Sequence, residues 1–202
     1  MWNDDQVDER VPARQFMSAH RLEAFSDGVM AVIITITALS IKVPQGTTPH
    51  ALGHEVPVLL VYVLSFTYVG IYWNNHHHLL RNTERISAAV MWANLGLLFW
   101  LSLIPVLTEW MGTNYRHTEP AVCYGVAALA AAVSYWVLVR AIIAANPQST
   151  VAASIGDDRK GIVSILLYSL AVVGAFLTPY IAYALFATVL VMWIVPDRRL
   201  VA

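Results

Sequence analysis

Two short stretches gather the side chains best suited to chemistry: RLEAFSD, residues 21–27, and YWNNHHH, residues 72–78. Arg21, Glu23 and Asp27 open an apolar run, and His76, His77 and His78 close another. A metal centre is the first chemistry to consider. Zinc needs three or four converging ligands, whereas adjacent histidines on a helix project about 100° apart. The remaining histidines are His20, His50, His54 and His117, there is no H-E-x-x-H pattern, and no carboxylate is spaced suitably with the cluster. No metal site is therefore expected. A second chemistry is proton coupling through Asp27 and His77, since ionisable groups within a membrane segment mark transport pathways. The third is an interhelical hydrogen-bond network of the histidines with Arg21, Asp27 or Asn94, either structural or coupled to gating. This network is the expected use, and His77 continues a stripe with Trp73 and Arg81 at i, i+4, i+8.

These residues must be carried by membrane helices. The 202-residue chain is 58% hydrophobic and only 12% charged, about half the charge of a soluble protein, so a soluble fold could not cover its apolar surface. A formal net charge of -1 without a basic stripe excludes nucleic acid as a partner. The single cysteine, Cys123, excludes an intrachain disulfide and reads as a small buried core residue.

The predicted fold class is all-α: an integral membrane bundle of six transmembrane helices per subunit. Residues 1–20 form a polar cytoplasmic tail, 21–196 the six-helix transmembrane domain, and 197–202 a cytoplasmic C-terminal tail. The crossings run approximately from Arg21 to Val43, Leu52 to Leu80, Arg85 to Trp110, Glu119 to Ala144, Lys160 to Leu177 and Pro179 to Val195. Pro105 permits a kink in the third, Asn146-Pro147 ends the fourth, and Thr178-Pro179 makes the last two antiparallel neighbours. With the amino terminus in the cytoplasm, ten of the 12 Lys and Arg residues fall inside, and only Lys42 and Arg116 fall outside. That bias places both termini in the cytoplasm. Glu55, Glu109 and Glu119 lie near the outer surface, and the GDD sequence at 156–158 reads as a loop.

The first crossing is unusual. Its apolar run proper, Val29 to Ile41, is too short for a bilayer, so the charged turns before it must be paired, placed near headgroups or turned toward protein or water. Val32, Thr35 or Ile36, and Leu39 fall on one face at helical spacing. That face either lines a path or packs on a neighbour, with its threonines bonded back to their own helix.

Arg21-x-x-x-Phe25-Ser26-Asp27, followed by Tyr72-Trp73-x-x-His76-His77, resembles the prokaryotic branch of the lysosomal potassium channel family, the TMEM175-like proteins. Length and number of crossings match along nearly the whole chain. The resemblance implies a potassium-permeable channel of the bacterial plasma membrane, not an enzyme, needing no cofactor, with potassium as the permeant ion. Its partners would be membrane lipids and three further copies in a homotetramer. First helices would surround the pore, with hydrophobic constrictions at Val32, Thr35 or Ile36, and Leu39. Thr35 inward would bring hydroxyl contacts to selectivity, whereas Ile36 inward would leave more to steric narrowing and dewetting. Arg21, Phe25, Ser26, Asp27, Trp73, His76, His77 and Asn94 would form the structural or gating network. The alternative function is a small proton-coupled secondary transporter, and a third is a membrane metalloenzyme built on the three histidines.

Overall fold

A computed structural model describes residues 18–44, 46–148 and 158–194, apart from the side chains at 51, 52 and 54, and among these residues breaks at proline, asparagine and hydroxyl-rich turns separate seven helices. They are α1 (Ala19–Ala38), α2 (Pro49–Arg81), α3 (Ala88–Ser102), α4 (Ile104–Thr113), α5 (Thr118–Ala145), α6 (Arg159–Ala175) and α7 (Pro179–Ile194). No strand occurs among the described residues. Of the predicted tails, 1–20 and 197–202, residues 1–17 and 197–202, with Arg10, Arg14, Arg198 and Arg199, lie outside the described residues, while Ala19 and His20 belong to the first helix.

Helices α3 and α4 act as one rod, Ala88–Thr113, interrupted at Leu103. Pro105 lacks the N–H that would continue the ladder, and Leu103 N–H turns to the Trp100 carbonyl at 3.3 Å, an i→i−3 bond. The predicted kink is thus a break between two helices, placed two residues ahead of the proline. That rod, Glu55–Arg81 and Thr118–Ala145 are long and apolar enough to cross a membrane, 26, 27 and 28 residues respectively. Helices α1, α6 and α7 have 20, 17 and 16 residues. The observed fold is an all-α membrane bundle with at least three clear spans and up to six in all.

Helix α1 ends at Ala38, five residues before the predicted limit of Val43. Leu39, Ser40 and Ile41 donate to the carbonyls of Ile36, Thr37 and Ala38, so the last turn tightens to i→i−3 closure. The Ser40 hydroxyl also donates to the Thr37 carbonyl at 2.7 Å. These bonds take up carbonyls that further α-turns would have used.

Helix α5 is the centre of the bundle, packing against α3 on one side and α6 on the other, while α7 folds back on α6 and α1 lies on α2. Small residues let it pack closely: Ala121, Gly125, Ala128, Ala131 and Ala132 are all buried. Cys123 falls outside that buried arc and is exposed, contrary to expectation. Tyr68 and Tyr72 on α2 meet edge-on at 4.9 Å between ring centroids, Tyr68 meets Tyr168 on α6 at 6.2 Å, and Tyr72 meets Tyr135 on α5 at 5.7 Å. Toward α4, Thr108 donates to Ser65 at 2.7 Å, and Ser65 shares a 3.0 Å bond with Tyr124.

Asn146 does more than terminate α5. Its Oδ1 accepts from the Arg85 N–H at 2.8 Å, and its Nδ2 donates to the Arg85 carbonyl at 3.0 Å. This reciprocal pair fastens the α2–α3 connection to the end of α5. The GDD segment is likewise more than loop at its last residue: Asp158 caps α6, accepting from the Gly161 N–H at 3.0 Å. Replacing Asn146→Ala removes both bonds to Arg85 and the local bond from Nδ2 to the Ile142 carbonyl. Stability should fall by about 2 kcal/mol, read as a lower melting temperature in detergent, while Asn82→Ala, on an exposed local bond, should leave it nearly unchanged.

Candidate functional site

Periodicity divides α1 into two faces. Leu22, Ser26, Met30, Ile33 and Thr37 are buried along one stripe, with Ser40 continuing it beyond the helix end. Phe25, Val32, Thr35, Ile36 and Leu39 are exposed on the other, Leu39 to 78%. Both faces extend through the positions singled out from the sequence.

The buried face carries a polar relay. Asn94 on α3 donates through Nδ2 to Ser26 Oγ at 3.0 Å, and its Oδ1 lies 2.7 Å from His76 Nε2 on α2. The Ser26 hydroxyl in turn donates to the Leu22 carbonyl at 2.8 Å. All three side chains are fully buried. One amide therefore satisfies groups from two other helices, and the Oδ1 contact fixes Nε2 as the protonated nitrogen of His76.

One turn away at the same end, α1 presents Glu23 and Asp27 to His77. Helical i, i+4 spacing stacks the two carboxylates on one face. His77 Nδ1 comes within 2.7 Å of Glu23 Oε1, an approach outside hydrogen-bond geometry. Among the described residues, Asp27 Oδ1 is sealed from solvent and has no hydrogen-bond partner. Ligand atoms of Glu23, Asp27 and His77 all lie within 4.8 Å of one another. The expectation that no carboxylate is placed for the histidine cluster is overturned. Glu23 is the residue that sequence reasoning left out, although its spacing from Asp27 was a usable signal.

Other predicted members stand apart from these clusters. Arg21 is exposed and makes no ion pair among the described residues, its N–H serving the Ser18 cap. Phe25 is exposed, and Trp73, also exposed, stacks on His77 with ring centroids 5.9 Å apart. His76 and His77 point to different partners, as the 100° offset requires.

On the exposed face, the Thr35 hydroxyl donates to the Val32 carbonyl at 2.9 Å, while the buried Thr37 donates to Ile33 at 2.7 Å. Val32 and Ile36 share an open apolar groove with Phe25 and Gly28 of α1 and with Pro105 and Val106 of α4.

Sequence comparison matches residues 21–105 to the family described as endosomal/lysosomal potassium channel TMEM175. A potassium channel of Chryseobacterium sp. (strain P1-3) is 43% identical over 185 residues, covering 91% of this chain and 96% of that protein. The chain belongs to the TMEM175 family. A potassium channel of Streptomyces collinus is 36% identical over 126 residues, 58% of this chain and 61% of that one. Among solved structures, the crystal structure of a lysosomal potassium-selective channel TMEM175 homolog from Chamaesiphon minutus superposes with a TM-score of 0.79 at 25% identity. The match covers 89% of this chain and 98% of that one. Membership of a channel family makes this a transport protein rather than an enzyme.

Removing the shared amide tests the relay. Asn94→Leu strands His76 Nε2 in a dry interior, while Ser26 keeps its bond to the Leu22 carbonyl, and should cost about 1–3 kcal/mol, seen as a fall in melting temperature. A cycle with His76→Leu should show that the two losses are not additive. Strict additivity would mean that the pair does not act as a unit.

Proposed function

We propose that this protein is a potassium-permeable channel in which four copies surround a central path with their α1 helices, each chain crossing the membrane six times with both termini in the cytoplasm. The observation that carries the reading is the continuous exposed face of α1, opposite a buried one, in a family of potassium channels. Among the described residues that face has no partner, and a symmetric ring would turn it into a lining. The groove between α1 and α4 offers the neighbouring copy a seat. A homotetramer supplies both roles with one interface repeated around the axis.

The lining would be hydrophobic at Val32 and Leu39, with Thr35 between them. At about 100° per residue, Thr35 falls nearer the middle of the exposed arc than Ile36, which sits at the edge facing Pro105 and Val106. This favours Thr35 toward the path and Ile36 toward the intersubunit groove. Because the Thr35 hydroxyl gives its proton to the Val32 carbonyl, its lone pairs are left for a partly dehydrated cation. Four such hydroxyls would supply a ring of oxygen dipoles, and the aliphatic layers on either side would gate by narrowing and dewetting. The sequence contains no T-V-G-Y-G stretch for a carbonyl filter. Flow is passive and involves no covalent chemistry.

A second reading, a proton-coupled transporter, draws on the proximity of Asp27, Glu23 and His77. It requires saturable flux far below channel rates and loss of coupling in Asp27→Asn.

Single-channel recording in planar bilayers under potassium and sodium gradients decides between them. Discrete openings that reverse near the potassium potential are expected. Val32→Ala or Leu39→Ala should raise unitary conductance or weaken discrimination against sodium. Thr35→Val should lower potassium selectivity more than Ile36→Val does. Unchanged currents and selectivity across all four variants would remove the lining from this face.

A further inference from the structure

We propose that Glu23, Asp27 and His77 form a binding site for a divalent transition-metal cation of the Zn2+ type, bridging α1 to α2. Three observations converge on it. The ligand atoms come from two helices and already lie within 4.8 Å of one another. The closest pair, His77 Nδ1 and Glu23 Oε1, is at 2.7 Å but outside hydrogen-bond geometry. The third member, Asp27, keeps an oxygen sealed from water and without a donor among the described residues.

An ordinary ion pair does not complete this arrangement. A protonated His77 would serve Glu23 and still leave Asp27 Oδ1 unsatisfied. Two carboxylates on one helix face also repel each other, and Arg21 is turned out to solvent rather than between them. A cation placed centrally reaches all three ligands at once. Tetrahedral zinc with bonds of about 2.0–2.1 Å sets its ligand atoms about 3.3 Å apart. The 2.7 Å contact must open slightly and the wider ones close, which side-chain rotation supplies.

The donor set selects the class of metal. One imidazole nitrogen with two carboxylate oxygens suits zinc and its transition-metal neighbours, whereas magnesium and calcium prefer oxygen alone. Glu23 is 13% exposed and His77 30%, so water can occupy the fourth position and the ion has a way in. Both helices leave the cluster as long rods. The metal would brace the end of α1 opposite Leu39 against α2, independently of whether α1 lines a conducting path.

The test uses the full-length protein in detergent, stripped with EDTA and checked for assembly by size exclusion. Calorimetric titration with ZnCl2 should show one saturable site per chain, and MgCl2 should show none of comparable affinity. Glu23→Gln, Asp27→Asn and His77→Gln should each weaken zinc binding about tenfold or more and abolish the zinc-induced rise in melting temperature. His20→Gln should leave both intact, although His20 lies 3.9 Å from Glu23. Glu23→Gln is a near-isosteric change outside the buried relay, so it reports on binding even where the other two variants fold poorly. Folded wild-type protein without saturable zinc binding would overturn the proposal. So would binding that survives Glu23→Gln, or binding lost in His20→Gln but not in His77→Gln. None of these readouts involves current, so they remain separate from the test of conduction.

Discussion

Asn94 is the group on which the arrangement of the first three helices depends. A primary amide has donors at one end and an acceptor at the other, and here it spends them on Ser26 and His76. In a bilayer interior no water stands ready to replace a lost partner, so a slip of α1 by one residue would leave the buried Nδ2 of Asn94 without its Ser26 acceptor. Apolar packing alone would tolerate such a slip more easily, because lipid and leucine are equally apolar. The relay therefore fixes register, and register decides which residues α1 shows on its outer face.

From that fixed face the rest follows in order. Ser26, Met30, Ile33 and Thr37 turn inward, which leaves Val32, Thr35 and Leu39 no choice but to turn out. The exposed side is the one on which the proposed function relies. Glu23 and Asp27 occupy the flank between the two faces, where α2 brings His77 to them. Farther off, the Asn146 bonds to Arg85 hold the α2–α3 connection, and α5 supplies a small-residue core against which α3 and α6 rest. Specificity comes from a few polar bonds, and bulk cohesion from alanine, glycine and aromatic packing.

Much of this was legible in the sequence. Composition required a membrane bundle, Asn146-Pro147 and Thr178-Pro179 marked chain reversals, and the spacing of Val32, Thr35 and Leu39 marked a face. Asn94 bonds to both Ser26 and His76, because an amide amid apolar residues needs partners. Which partners it takes depends on how three helices cross, and periodicity within one helix carries no such information. Glu23 was missed for the same reason: its neighbour on the other helix lies 54 positions away. Cys123 illustrates the opposite error, since apolar neighbours in sequence are no guide to burial when the solvent around the helix is lipid. The break at Leu103 reflects a local choice between two hydrogen-bond patterns near Pro105, and the proline alone does not locate it.

The tightened end of α1 has a further geometric consequence. A turn closed by i→i−3 bonds advances about 120° per residue, against about 100° in an α-turn. Leu39 sits in that turn, so its azimuth is set separately from that of Val32, which belongs to the regular helix. Exchanging one bonding pattern for the other would swing Leu39 sideways by tens of degrees across the end of the helix while Val32, the Asn94 relay and the helix axis stayed in place. The bearing of Leu39 is thus set by the closing bonds of its own turn, and that of Val32 by the helix before it.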